Sequence, residues 1–172
     1  MNFTDIVQKR RSIRKFTETA LTDDELHTIL RAALMSPTGH SQRGWQFVVV
    51  KDRQVLTELS KCKTMGGDFI ATAPVAIVVA YDANATDVWV EDASIAAVTM
   101  QYQATELGLG SCWSQIRLRD NADGTPASDV IKTLLQLPDN WEVECVIAIG
   151  HPAVERKLQD EEKLAWAQVK NI

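Results

Sequence analysis

Val75-Ala76-Ile77-Val78-Val79-Ala80-Tyr81, introduced by Pro74, is an almost continuously apolar run. A strand with one wet face alternates apolar and polar residues. A run without alternation reads as a central strand buried on both faces, with further layers above and below it. Working outward, 46–51 carries Phe47, Val48, Val49 and Val50, 143–149 is a second apolar strand, and 111–116 is a shorter one behind Gly108-Leu109-Gly110.

Helical patterns fill the gaps. Phe3, Ile6 and Val7 space a first helix over 3–10. Thr22-Asp23-Asp24-Glu25 is a capping box, and the helix it opens carries Leu26, Ile29, Leu30, Ala33 and Leu34 on one face until Pro37 ends it near Ser36. Further helices are expected over 52–61, 88–107, 130–137 and, in a charged tail with Leu164 and Trp166, 160–169. The 88–107 helix is apolar nearly all round, which marks a core or subunit-interface helix. The order lacks the strict alternation and crossover glycines of a doubly wound sheet, so the expectation is α+β in a single layered domain over 1–172.

The chain has a formal net charge of −5, which argues against a general nucleic-acid or membrane-surface role. Its first residues show no basic region followed by an apolar stretch, and no apolar run reaches membrane-spanning length, so a cytoplasmic protein is expected. Cys62, Cys112 and Cys145 are odd in number and far apart. His27, His40 and His151 show no ligand spacing, so no metal is assigned.

Against that acidic balance, Lys9-Arg10-Arg11-Ser12-Ile13-Arg14-Lys15-Phe16 gathers five basic residues within seven positions and no acid. Guanidinium forks with a nearby hydroxyl suit a phosphate group. A solvated basic face at a helix C-terminus, favoured by the macrodipole, accounts for the same pattern. Ser36-Pro37-Thr38-Gly39-His40-Ser41-Gln42-Arg43-Gly44-Trp45 is a polar, turn-rich loop opening into a strand, where ligand contacts commonly lie, although a plain connection would look alike. Gly108-Leu109-Gly110 is no dinucleotide fingerprint, because it runs from helix to strand and Trp113 stands where a third glycine is needed. Glu91 and Asp92 read as complements to a helix dipole, Trp45 as core, and His40 and His151 as loop polar groups.

Three stretches taken in order resemble the FMN-dependent nitroreductase family: 10–16 after an N-terminal helix, 36–47 leading into a strand, and 108–113 after a long helix. The resemblance implies a layered α+β fold with a central, mostly antiparallel sheet flanked by helices, and a homodimer with FMN at its interface. It implies Arg10, Ser12 and Arg14 on the FMN phosphate and ribityl chain, with Arg11 contributing through backbone or side chain. Pro37 and Thr38 would open the loop across the flavin. Ser41, Arg43 and Gly44 depart from the family's usual asparagine, glutamine and proline. Ser111, Cys112 and Trp113 would line the isoalloxazine, and Arg156 or Lys157 would close on the phosphate. Cys112 and Trp113 also fit as plain strand-core residues. The implied activity is electron transfer from NAD(P)H to a nitroaromatic, quinone or similar conjugated small-molecule acceptor in a ping-pong cycle. A flavin-binding regulator or storage module without turnover, or a relative with another FMN chemistry such as reductive dehalogenation, are the alternatives.

Overall fold

Four strands, β1 (Trp45–Val50), β2 (Val75–Asp82), β3 (Gly110–Gln115) and β4 (Trp141–Gly150), form one sheet in a computed structural model that describes residues 1–172. Their order is β1-β2-β4-β3, and every neighbouring pair is antiparallel. The apolar run of β2 is inside the sheet, with Val75 to Tyr81 all buried. Fully burying a side chain such as Ile77 or Val79 contributes roughly 1.5–3 kcal/mol over leaving it in water. The β2–β4 ladder slips once: Val79 faces Cys145 and Ala80 faces Val143, so Glu144 is the extra residue of a bulge.

Five helices cover the two faces: α1 (Phe3–Lys9), α2 (Asp23–Leu34), α3 (Arg53–Leu59), α4 (Trp89–Glu106) and α5 (Ala127–Leu135). Alternation along β2 divides the core. Val75, Ile77, Val79 and Tyr81 join the core that includes Ile29 of α2 and Ala96 of α4, whereas Ala76, Val78 and Ala80 join the one that includes Leu56 of α3 and Ile131 of α5. The capping box at Thr22 and Glu25 forms as read, with Thr22 N–H donating to Glu25 Oε2 at 2.7 Å and Glu25 N–H donating to Thr22 Oγ1 at 3.2 Å. Asp52 caps α3 by accepting from the N–H groups of Gln54 and Val55.

The small residues Ala93, Ala96, Ala97 and Ala104 of α4 are fully buried and let the helix lie close against the sheet. Its opposite face is only partly covered. Phe3 of α1, 65% exposed, meets Tyr102 edge to face at 5.4 Å, and Ile95 is open to solvent. The apolarity seen around α4 is thus one face of core and one face that a single chain leaves uncovered.

The tail corrects one expectation. In place of a helix over 160–169 there are two single 3-10 turns, Glu161–Lys163 and Trp166–Gln168, and every residue from Pro152 onward is exposed. Leu164 and Trp166 have the right spacing but no core to bury them, and an isolated helix of that length is marginal in water. No helix of the chain is long and apolar enough to cross a membrane.

Candidate functional site

The basic segment is carried out of α1 as an extended arm rather than as the helix's last turn. Arg10 already has extended backbone, Ile13 N–H donates to Ser111 O at 2.9 Å, and Ser12 bridges Ser111 in parallel. This docking explains Gly110: a side chain there would drive its Cβ to 2.8 Å from that of Ile13. The arm ends where Phe16 bridges Pro152. The start of β3 therefore receives Ser12 from the side, with Arg10 and Arg14 flanking it.

Those cations have no counter-ions. The ion pairs of the chain are Lys51–Asp23, Lys61–Glu58, Lys132 with Asp129 and Glu142, and Lys163–Asp160, and none involves a residue of 9–15. Burial raises the Cys112 thiol nearby, and Arg14, Ser12, Arg10 and Lys63 act in the opposite sense. Arg14 also lies over the Phe69 ring at 5.9 Å, bordering a groove of about 640 Å³ whose lining includes Lys15, Phe16, Phe69 and Thr72 and one exposed carboxylate, Asp68. A nest of guanidinium groups, a hydroxyl and no ion-paired carboxylate is a donor set that fits a phosphate monoester.

Arg11 points elsewhere. Its guanidinium donates to Lys157 O at 2.6 Å and Leu158 O at 3.3 Å, holding the tail against α1, while Gln159 N–H donates to Gln8 O at 2.9 Å. Arg156 lines the adjoining 350 Å³ groove with Lys9 and Arg11, and Lys157 offers Arg11 its carbonyl.

The loop from Pro37 to Arg43 is on the other side of the sheet. Gly39 N–H donates to Asp92 Oδ1 at 2.8 Å, and the Tyr81 hydroxyl donates to Asp92 Oδ2 at 2.9 Å. Tyr81 and Trp45 belong to the core under α2 and α4, whereas Cys112 belongs to the core under α3 and α5. His40, Ser41 and Arg43 all have positive φ, at 51°, 56° and 51°. Non-glycine residues in that region cost of order 1–3 kcal/mol each, and such strain gathers at ligand clamps and active sites. Gly44 follows from Tyr81: a Cβ at that position would sit 2.5 Å from the ring's Cε1. Pro37, Ser41 and Arg43 expose their side chains, and Arg43 N–H donates to Thr38 Oγ1 at 3.3 Å.

On β3 the residues part company. Ser111 is buried and within 3.4 Å of Gln101 Nε2, Cys112 faces one core and Trp113 the other. Trp113 Nε1 donates to Gln115 Oε1 at 2.9 Å, and Gln115 Nε2 donates to Glu144 Oε1 at 3.3 Å. Glu144 Oε2 is buried without a partner, and burial pushes this carboxyl above its ordinary value, assisted by Glu91 and opposed by Gln115 and Arg117. Sequence reading missed four participants. Asp92 looked like a dipole complement, Gln115 had only a place in the 111–116 strand, and Lys63 and Phe69 carried no signal of a site. Their roles come from contacts with residues distant in the chain.

Proteins similar to this chain in sequence and in structure share one family. The Nitroreductase family model matches residues 7–64 and 53–151. A protein of Archaeoglobus fulgidus provisionally named an NADH dehydrogenase/NAD(P)H nitroreductase is 32% identical over 155 residues, covering 88% of this chain and 86% of its own length. An FMN-dependent nitroreductase from Clostridium difficile R20291 superimposes with a TM-score of 0.95 at 44% identity, covering 96% of each chain. A provisionally named nitroreductase from Desulfovibrio desulfuricans, solved in complex with FMN, superimposes with a TM-score of 0.80 at 26% identity, covering 100% of this chain and 98% of its own. With the family match running through the basic arm, the strained loop and β3, this chain is a member of the nitroreductase family.

Proposed function

We propose that the chain is an FMN-dependent oxidoreductase that takes electrons from NAD(P)H and passes them to a nitroaromatic, a quinone or a similar conjugated acceptor. The observation that carries this reading is the basic arm itself: Arg10, Ser12 and Arg14, free of ion pairs, are docked on the start of β3 through the Ser12–Ser111 bridge and the bond from Ile13 N–H to Ser111 O. Relatives named for FMN and NAD(P)H support the choice of cofactor and donor.

When bound, FMN supplies two-electron chemistry, oxidising the nicotinamide and reducing the acceptor in separate half-reactions, which is the ping-pong order. The protein has four tasks around it. Arg10 and Ser12 would hold the phosphate and Arg14 the ribityl side, Arg156 would add charge from the tail, and the backbone of β3 at Ser111, Cys112 and Trp113 would form the rigid wall, since the Cys112 and Trp113 side chains face opposite cores. Sites built on a strand keep such groups in register better than sites on loops. No nucleophile or general base is required of the side chains.

The fourth task is closure, and it falls to the 37–43 loop. In one chain the sheet stands between this loop and Cys112, so the two halves meet only when a second copy brings its loop to the first copy's arm. The uncovered face of α4 with Phe3, Ile95 and Tyr102 supplies an apolar surface for that homodimer. Aerobic purification followed by absorbance spectroscopy and a steady-state assay with NADH or NADPH tests the reading. Bound FMN with acceptor-dependent turnover supports it. Flavin reduction without acceptor-dependent turnover would instead make the chain a flavin-binding module.

A further inference from the structure

Past the end of β3 the turn from Ile116 to Asp120, with the starts of α4, α5 and β4, encloses a groove of about 320 Å³. Trp89, Ile116, Leu118 and Pro126 give it apolar walls, and Arg117 and Arg119 supply its cations. Arg117 is half-buried, holds its guanidinium 5.8 Å from the centre of the Trp89 ring and takes part in no ion pair. Arg119 donates to Leu118 O at 2.7 Å and is likewise without an ion pair. A half-buried guanidinium in this state keeps donors free for an anion, and its planar fork matches a carboxylate.

Three acids stand near these cations, and none neutralises them. Glu142 is engaged by Lys132 at 3.3 Å and by the Ser128 hydroxyl at 3.1 Å. Glu144 is buried at the β4 bulge, beyond ion-pair distance from Arg117, and burial favours its neutral form. Asp120 is exposed and makes no ion pair. The groove thus sets two guanidinium groups against one free carboxylate. Leu118, between the two arginines, has a φ of 59° with its side chain 76% exposed, so core burial does not offset that strain. Strained residues of this kind gather at ligand clamps.

The groove and the basic arm are at opposite ends of β3. Ser12 meets the strand at Ser111, and Gln115, the last strand residue before the groove, is about 13 Å further on. The groove's volume is at the lower end of the range for small-molecule sites, room for a single ring rather than a nucleotide. We propose that it is a second ligand site, separate from the arm, which takes a small aromatic carboxylate, with the acid group on Arg117, Arg119 adding charge at the rim, and the ring against Trp89 and Leu118. The apolar walls hold the ring, and the guanidinium selects the charged acid over its neutral amide.

The test titrates the full chain, as purified, with benzoate, benzamide and inorganic phosphate in a calorimeter. Benzoate should bind once per chain, with benzamide and phosphate weaker by about tenfold or more, and Arg117→Gln should lower benzoate affinity by about the same factor. Trp89→Leu should weaken benzoate and leave phosphate unmoved. In proton–nitrogen correlation spectra of the wild-type chain, benzoate should shift the Trp89 indole N–H, identified by its loss in Trp89→Leu, and leave that of Trp45 in place. No benzoate binding, or binding unchanged in a folded Arg117→Gln variant, overturns the proposal, and in the second case a change in flavin absorbance would place the acid at the flavin instead. Phosphate that binds as tightly as benzoate, with the same loss in Arg117→Gln, overturns it in favour of a bare-anion site. If Arg117→Gln does not fold, the wild-type spectrum decides, and an unmoved Trp89 indole overturns the proposal. None of these readouts uses flavin turnover, so their failure is separable from failure of the proposed activity.

Discussion

The Tyr81 hydroxyl donates a 2.9 Å hydrogen bond to Asp92 Oδ2, and the same carboxylate accepts from Gly39 N–H at 2.8 Å through Oδ1. A residue of the central strand, one of the long helix and one of the strained loop are thus joined through a single buried acid. Asp92 is 3% exposed. Replacing Tyr81 by Phe removes one donor and leaves Oδ2 buried and unpaired, at a cost of about 1–3 kcal/mol. Urea unfolding of Tyr81→Phe should show that loss, and amide exchange at Gly39 should quicken. A variant as stable as wild type would mean that water replaces the hydroxyl.

The proposed phosphate cradle makes a sharper forecast. Hydrogen bonds to charged groups are worth about 1.5–3 kcal/mol, so Arg10→Ala or Arg14→Ala should each weaken FMN by that amount in a titration of apo-protein. Neither arginine is ion-paired, so neither substitution strands a carboxylate in the fold. Stability without flavin should stay near wild type. Unchanged FMN affinity in both variants would remove the cradle.

How legible was this arrangement in the sequence? β2 announced itself, because burial on both faces leaves a local signature in every residue from Val75 to Tyr81. The basic arm did as well, since clustered charge in an acidic chain is visible without knowing the fold. Asp92 was not legible: its neighbours in sequence suggest a helix start, and its task depends on Gly39, which lies 53 residues away. The tail failed for the opposite reason. Leu164 and Trp166 carry helical spacing, but spacing without a surface to bury it does not make a helix. The division of the predicted site across two faces of the sheet was equally hidden, because it follows from which core each strand residue enters.

Glu144 gives the chain a pH dependence whose sign can be worked out. Burial lifts its carboxyl above the ordinary range in the folded state, so between the unfolded and folded values the native protein holds the proton that the unfolded chain has released. Stability from this group is therefore greatest in acid and falls as pH rises through the folded value. Glu144→Gln keeps an acceptor for Gln115 and removes the charge. Relative to wild type it should gain stability near pH ~7, with the gain shrinking toward pH ~4.5. Paired urea curves at both pH values measure this, and a gap that does not change with pH would show that Glu144 is not titrating in the fold.

Arg43 combines strain and charge in one exposed residue, and two substitutions separate them. Its φ of 51° is costly for any side chain, and Gly44 beside it must stay small because of the Tyr81 ring. Arg43→Gly relieves the strain and should raise stability by about 1 kcal/mol in urea unfolding. Its charge has no ion-pair partner, and closure of the loop over a second copy's site would bring it near the flavin edge. A guanidinium there favours the anionic reduced form, whereas glutamine offers only a hydrogen bond. Arg43→Gln should therefore lower the midpoint potential, by about 30 mV for an effect of about 1.4 kcal/mol on a two-electron couple, and should reduce turnover of anionic acceptors more than neutral ones. Both changes require the dimer, so they should vanish under conditions where light scattering reports monomer. If potential and acceptor preference are unmoved in the dimer while Arg43→Gly still stabilises, the loop's strain serves the backbone of Thr38 to Gly44 alone and the guanidinium has no part in the chemistry.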